Sequence, residues 1–175
     1  METEAARPNN PTPVSPEEFR DSLCRFPSGV TLVTVKQGET VHGLTVSAFA
    51  SVSVEPPLVA VIIDSRHRAH ALLEQPDAVF AVNILHEDQD HLSDRFAQAR
   101  EEDRFAEGRW STAVTGAPVL EDAGAWLDCR IHSRSRAGSH TIYIGEVQAT
   151  RVQDPEARPL VYWNRAYRRL EGSGA

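Results

Sequence analysis

The chain has 175 residues, 41% hydrophobic and 25% charged, the size and balance of one ordinary globular domain with a substantial core. Its 18 Lys and Arg against 25 Asp and Glu leave a net charge of −7, which argues against the basic surface that general nucleic-acid binding needs. No apolar run approaches the roughly 18 residues of a membrane span, and the opening METEAARPNNPTPV lacks the apolar core of a secretory signal, so neither membrane insertion nor export is expected.

Positive charge is almost all Arg, with Lys36 the only lysine. Arginine suits bidentate phosphate contacts, although a compositional bias explains the excess as well. Cys24 and Cys129 lie far apart and form no C-x-x-C pair. Neither a disulfide framework nor a zinc site is suggested, and reduced thiols fit a cytoplasmic protein. Both sit in apolar surroundings, which predicts buried packing for each.

Residues 1–14 are rich in Pro, Asn and charge and read as a disordered tail. The ordered domain is expected over 15–170, with 171–175 a flexible C-terminus. Ser15-Pro16-Glu17-Glu18 is a helix start, with Ser at the N-cap and Glu three residues on. Phe19, Leu23 and Phe26 then give one apolar face. Pro27-Ser28-Gly29 stops the helix. Val30 to Val35 is β-branched and strand-like, and Gln37-Gly38 turns it into a second strand.

That second strand opens the stretch from His42 to Asp64, read as two strands joined by Pro56-Pro57. Between Thr45 and Ser53, hydroxyl and small side chains outnumber large apolar ones. A strand that only built a core would carry more Val, Ile and Leu. Two readings stand. Such a strand lets a flat, polar-edged ligand such as a flavin lie against it, or it is the wet face of an antiparallel sheet. Leu58 to Ile63 reads as a strand buried on both sides.

A short helix is expected from Ser65–His70 to about Glu74, then a strand over Ala78 to Leu85. Glu87 to about Ala99 is polar and helical, with Leu92 and Phe96 one turn apart. A charged loop follows to Trp110, and Gly116 to Leu120 turns into a short extended piece. Ala125 to His132 and Thr141 to Thr150 read as long strands across SRSRAGSH, and Leu160 to Trp163 as a last strand. Six or more strands in hairpin order predict a mainly β fold, a closed or partly closed antiparallel barrel with a few short helices. The G-x-G-x-x-G of a Rossmann site is absent.

His67-x-x-His70 and His86-x4-His91 have helical spacing but no H-E-x-x-H, so no metal site is expected. No G-x-S-x-G elbow supports a catalytic triad. Paired carboxylates such as Glu87/Asp88 read as solvated surface. Asp64 to His70 leaves a buried strand and opens a helix, a position where anions bind; the alternative is an exposed basic loop. His140 follows Gly138-Ser139 at a strand start and reads as a histidine at the barrel mouth or on the surface.

Taken in order, FPSGVTLVTV (26–35), HGLTVSAFASVSVEPPLVAV (42–61), FAVNIL (80–85), LSDRFA (92–97), GAPVLEDAGAWLDCRI (116–131), GSHTIYIGEV (138–147) and PLVYWNRAY (159–167) resemble the flavin reductase-like family. The resemblance covers about Phe19 to Leu170. It implies an antiparallel, Greek-key FMN-binding split barrel. It also implies an NAD(P)H:flavin oxidoreductase that supplies reduced FMN or FAD to a separate oxygenase, with NADH or NADPH as hydride donor, and a homodimer with the pocket at the subunit boundary. Thr45, Val46, Ser47, Ala48 and Phe49 would lie along the isoalloxazine. Ile62, Ile63 and Asp64 would run beside the ring or ribityl chain. Arg66, His67, Arg68 and Ala69 would receive the phosphate. Asn83 would also face the pocket, His140 would position the nicotinamide, and Tyr167 would help cover the site. No acid or base is required, because the cofactors carry the reactivity.

Four positions depart from the family pattern. Ala48 stands where a second Ser is frequent. His67 and Ala69 stand where the phosphate turn is S-x-T-like, so two hydroxyls are lost. Gly-Ser-His replaces Gly-Asp-His before the strand of His140. Arg66, Arg68 or His67 then replaces the hydroxyls, or flavin binds loosely. The departures keep open a split barrel that binds flavin or haem without turnover, or a pathway enzyme that reuses the pocket.

Overall fold

The computed structural model describes residues 13–98 and 101–170, and the side chains among them except those of 101–103. Most of the expected N-terminal tail, and all of 171–175, lie outside the described residues.

Helix α1 (Pro16–Leu23) starts as expected. The Ser15 hydroxyl accepts the Glu18 N–H at 3.2 Å, and Glu18 Oε2 accepts the Ser15 N–H at 2.9 Å. This reciprocal cap satisfies donors that the first turn leaves free. A two-residue strand β1 (Ser28–Gly29) follows, then β2 (Thr31–Gln37), β3 (Thr40–Val46), β4 (Phe49–Ser53) and β5 (Leu58–Asp64). Helix α2 (Arg68–Leu73), β6 (Val79–Ile84) and α3 (Asp90–Gln98) come next. A 3-10 turn (Glu101–Ala106) leads to the small hairpin of β7 (Trp110–Thr112) and β8 (Pro118–Leu120). Two 13-residue strands, β9 (Ala125–Ala137) and β10 (His140–Val152), precede a closing hairpin of β11 (Val161–Trp163) and β12 (Ala166–Arg168).

Seven strands form one antiparallel sheet in the order β3-β2-β6-β9-β10-β5-β4. Its two edge strands, β3 and β4, are joined by only Ser47 and Ala48. Six gaps of about 4.8 Å would hold the edges of a flat sheet about 29 Å apart, whereas the three residue steps from Val46 to Phe49 reach about 11 Å at most. The sheet must therefore roll until its edges approach at Ser47–Ala48. The mainly β antiparallel fold read from the sequence is the one observed.

The rolled sheet encloses a core of Val33, Val35, Val59, Val61, Phe80, Val82 and Tyr143. Ala69 and Leu73 of α2 join that cluster, so α2 packs against the inner side. A second cluster lies on the outer side of β2, where Leu32 meets Leu92 and Phe96 of α3 together with Leu120 and Leu160. Both faces of β2 are thereby buried. Gly43 is the point of close approach for α3: a Cβ there would lie 2.7 Å or less from the Phe96 ring.

Five expectations are corrected. The stretch read as one strand from His42 to Ser53 is two, broken at Ser47–Ala48. The SRSRAGSH connection is only a two-residue turn, because β9 and β10 stay paired as far as Ala137 and His140, and β10 is also held by β5 from His140 to Glu146. Ile62 is exposed, since its side chain points out of the roll between the inward Val61 and Ile63. The apolar residues expected on one helix face are also exposed, and the last lies beyond the helix end: Phe19 and Leu23 of α1 keep 57% and 53% of their surface, and Phe26 keeps 73%. Of the cysteines, Cys129 is buried and Cys24 only half-buried at the end of α1.

Candidate functional site

The site is built on the step between the sheet edges. Three bonds hold it. The Thr31 hydroxyl donates to the Val46 carbonyl at 2.7 Å, the Thr45 hydroxyl donates to the Ser93 carbonyl at 2.6 Å, and the Ile62 N–H donates to the Ala48 carbonyl at 3.1 Å. The step is thus fixed to β2, α3 and β5, while Ser47 and Ala48 stay exposed. A run of small residues is what leaves this surface open.

Ser47 lines three grooves. One, of about 420 Å³, has Leu23, Phe26, Tyr162 and Trp163 among its walls. A second, of about 450 Å³, is more polar, with Thr45, Ser93, Asp94 and Tyr167. A third, of about 300 Å³, runs past Ser28 and Phe49. The Tyr167 hydroxyl donates to Asp94 Oδ1 at 2.8 Å and lies 2.9 Å from Ser93 Oγ. Burial, reinforced by the Asp94 carboxylate, holds this phenol above its ordinary pKa. Tyr167 therefore ties the closing hairpin to α3 at the groove wall.

Strand register continues the surface. Ala48 falls opposite Ile62, and His140 is paired with Asp64. Paired residues point to the same face, so Ala48, Ile62, Asp64 and His140 share the outer face of β4, β5 and β10. Strand spacing and rise set Ala48 and His140 about 12 Å apart. Asp64 accepts the Arg66 N–H at 2.9 Å and its guanidinium at 2.6 Å. These hydrogen bonds, with a smaller contribution from the charge of His140, hold the Asp64 carboxyl well below the usual carboxylate range. His140 Nδ1 is 3.0 Å from Ser139 Oγ.

At the turn after Asp64, the His67 imidazole takes the place of a capping hydroxyl: its Nδ1 accepts the Ala69 N–H at 3.4 Å. The His67 ring lies 5.5 Å from that of the buried His42, whose Nε2 is 3.1 Å from Arg104 Nη1. The replacements at His67 and Ala69 thus come with an imidazole–arginine cluster in place of hydroxyls.

Not every expected residue presents a side chain here. Val46, Ile63 and Ala69 are core residues, so only their backbone is available to a ligand. Asn83 is corrected outright. It is fully buried, its amide donates to the Leu32 carbonyl at 3.0 Å, and its Oδ1 accepts the Leu120 N–H at 2.7 Å. It pins β8 to the sheet and does not face the grooves. Conversely, Ser28, Ser93, Tyr162 and Trp163 line the grooves without having been singled out. Their only signal was membership of FPSG, LSDRFA and LVYWNRAY. Among the described residues no group of three or more His, Cys, Asp or Glu is placed to hold a metal ion.

Flat aromatic walls with hydroxyls at their edge fit a flat heterocycle with polar margins. Comparison with known proteins agrees with that chemistry. A family model described as "Flavin reductase like domain" matches residues 23–171. The chain belongs to this family.

Among flavin reductase-like relatives, the actinorhodin polyketide dimerase of Streptomyces coelicolor is 40% identical over 153 residues, 87% of this chain and 85% of that protein. The reductase component of 4-hydroxyphenylacetate 3-monooxygenase from Thermus thermophilus is 39% identical, over 88% of this chain and 96% of its own. In structure, an NADH:FAD oxidoreductase of Streptomyces globisporus, solved with NAD and FAD fragments, superposes with a TM-score of 0.84 at 32% identity, covering 94% of this chain and 99% of that one.

Proposed function

We propose that this flavin reductase-like protein is an NAD(P)H:flavin oxidoreductase that supplies reduced FMN or FAD to a separate monooxygenase. The observation that carries this reading is the bare Ser47–Ala48 step, held at the meeting of the sheet edges and opening onto three grooves. The named activities of relatives, a monooxygenase reductase component and an NADH:FAD oxidoreductase, support it.

A bound flavin supplies the redox chemistry, accepting hydride from reduced nicotinamide. The protein's part is positioning. Ser28 and Ser47 offer hydroxyls to the polar edge of the ring, and Phe26 and Trp163 give flat apolar surface. Ile62 and Asp64 continue along the outer face toward the phosphate turn at Arg66–Ala69. His140 stands at the far end of that face to orient the nicotinamide, and Tyr167 closes one wall.

The protein acts as a homodimer. The exposed apolar face of α1 and the half-exposed Trp163 support a contact through the first helix and the closing hairpin, with the grooves at the subunit boundary. The free thiols support a reducing, cytoplasmic setting.

Mixing the purified protein with NADH and FMN or FAD, and following the near-ultraviolet absorbance of the reduced nicotinamide, tests the activity. Rapid flavin-dependent loss is expected. A coloured protein without turnover would instead favour a flavin carrier. Absence of both would favour a pathway enzyme that reuses the pocket, a reading supported by the polyketide dimerase relative and the altered phosphate turn.

A further inference from the structure

A separate cavity of about 420 Å³ lies beyond the end of β5, lined by Ser65, His70, Glu74, Arg134, Arg136 and Thr141. Register explains its composition. Arg136 is paired with Thr141 and Arg134 with Tyr143 on the extended β9–β10 ribbon. These four side chains therefore share one face, the face opposite His140 and Ile142. Helix α2 supplies the other wall: His70 Nε2 is 3.0 Å from Thr141 Oγ1, and Glu74 Oε1 accepts the Tyr143 hydroxyl at 2.8 Å.

The cavity is locally cationic in a chain of net charge −7. Arg134 donates to the Glu74 carbonyl at 3.2 Å and lies 3.8 Å from its carboxylate. The Arg136 guanidinium makes no hydrogen bond or ion pair among the described residues. Two guanidiniums suit a phosphate, and a guanidinium plane also stacks on an aromatic base. Ser65, Thr141 and Glu74 offer hydroxyls and an acceptor of the kind a ribose engages. The volume lies within the range of small-molecule sites.

We propose that this cavity binds the adenosine-phosphate half of a dinucleotide. The inference rests on the flavin reductase reading, in which two ligands carry that group, FAD and NAD(P)H, whereas FMN lacks it. The cavity lies on the face of β10 opposite His140, and Ser65, directly after Asp64, sets it at the strand end beside the phosphate turn at Arg66–Ala69.

The experiment titrates the full-length protein with 5′-AMP by calorimetry, a measurement that needs no turnover and so stands apart from the fate of the reductase reading. Wild type is expected to bind AMP with a Kd of about 1 mM, and Arg134→Ala/Arg136→Ala at least about tenfold more weakly at an unchanged melting temperature. Glu74→Gln keeps an acceptor for Tyr143 but removes the charge beside Arg134, and should tighten AMP binding. Steady-state arms identify the source. If the group belongs to FAD, KM of the double variant rises for FAD but much less for FMN. If it belongs to the nicotinamide nucleotide, KM rises for NADH but much less for a dihydronicotinamide without adenylate. No AMP binding by wild type below about 10 mM, or equal binding by wild type and both variants, overturns the proposal.

Discussion

The Ile62 N–H donates to the Ala48 carbonyl at 3.1 Å. This bond carries the β4–β5 ladder one residue beyond Phe49 and Val61, onto a step that arrives from the opposite edge of the sheet. The same contact brings the sheet's edges together and sets the candidate ring site beside the outer face of β5. Fold and site therefore depend on the same few residues.

Ser47 is exposed and borders three grooves, so bulk there should obstruct the ligand without disturbing the core. Ser47→Leu is expected to raise KM for flavin about tenfold or more, with stability changed by less than about 0.5 kcal/mol. Steady-state kinetics and a thermal melt on the same preparation check both.

Gly43 is a steric requirement. An added methyl would meet the fully buried Phe96 ring, with Phe105 at 3.3 Å. Gly43→Ala should destabilise the protein by about 2 kcal/mol. It should also raise KM for flavin, because α3 carries the Ser93 carbonyl that anchors Thr45. Denaturant unfolding measures the first effect, and Gly43→Ala with normal stability would refute the packing account.

His140 shares the outer face with Asp64 but is not asked to move a proton. His140→Ala should raise KM for NADH several-fold and leave kcat within about threefold. Loss of turnover with flavin saturating would mean that its role is chemical, not positional.

Burial, with the nearby Asp128 carboxylate, pushes the Cys129 thiol up to about 12. A thiol in an unfolded chain ionises near pH 8.5. Folding therefore favours the protonated form. That contribution is complete below about pH 8.5 and is lost progressively as pH rises toward 12, by at most about 1.4 kcal/mol per pH unit. Melting temperature should fall across this interval, and Cys129→Ala should flatten the fall. In the native state near neutral pH, a thiol reagent should modify Cys24 far faster than Cys129.

The exposed face of α1 gives the proposed homodimer its test. Phe19→Glu/Leu23→Glu replaces two exposed apolar side chains, so folding should survive while self-association weakens at least about tenfold. Sedimentation across a concentration series reads the outcome, and an unchanged dimer would move the contact elsewhere.

Much of this was legible in the sequence because it is local. Ser15 and Glu18 cap a helix through a three-residue spacing, Leu92 and Phe96 mark the buried face of α3 through a four-residue one, and β-branched runs mark β2 and β5. The small, hydroxylated run around Thr45–Phe49 marked the surface onto which the grooves open, since a strand that packs against a core does not dispense with large side chains. Asn83 misled because side-chain type does not reveal direction. Only pairing with β2 and β8 shows that its amide is spent on Leu32 and Leu120.

The sequence by itself determined the antiparallel β class, the family, and which strand stays small and hydroxylated, because periodicity and composition record which segments are buried and which stay open. Tertiary structure alone decided that this strand breaks at Ser47–Ala48, because only the rolling of seven strands forces the chain to step from one edge to the other. It alone decided that Arg134, Arg136, Ser65 and His70 share a cavity. Ser65 and His70 lie more than 60 residues before Arg134 and Arg136 in sequence, and the two pairs meet through the register of β9 on β10 and the packing of α2.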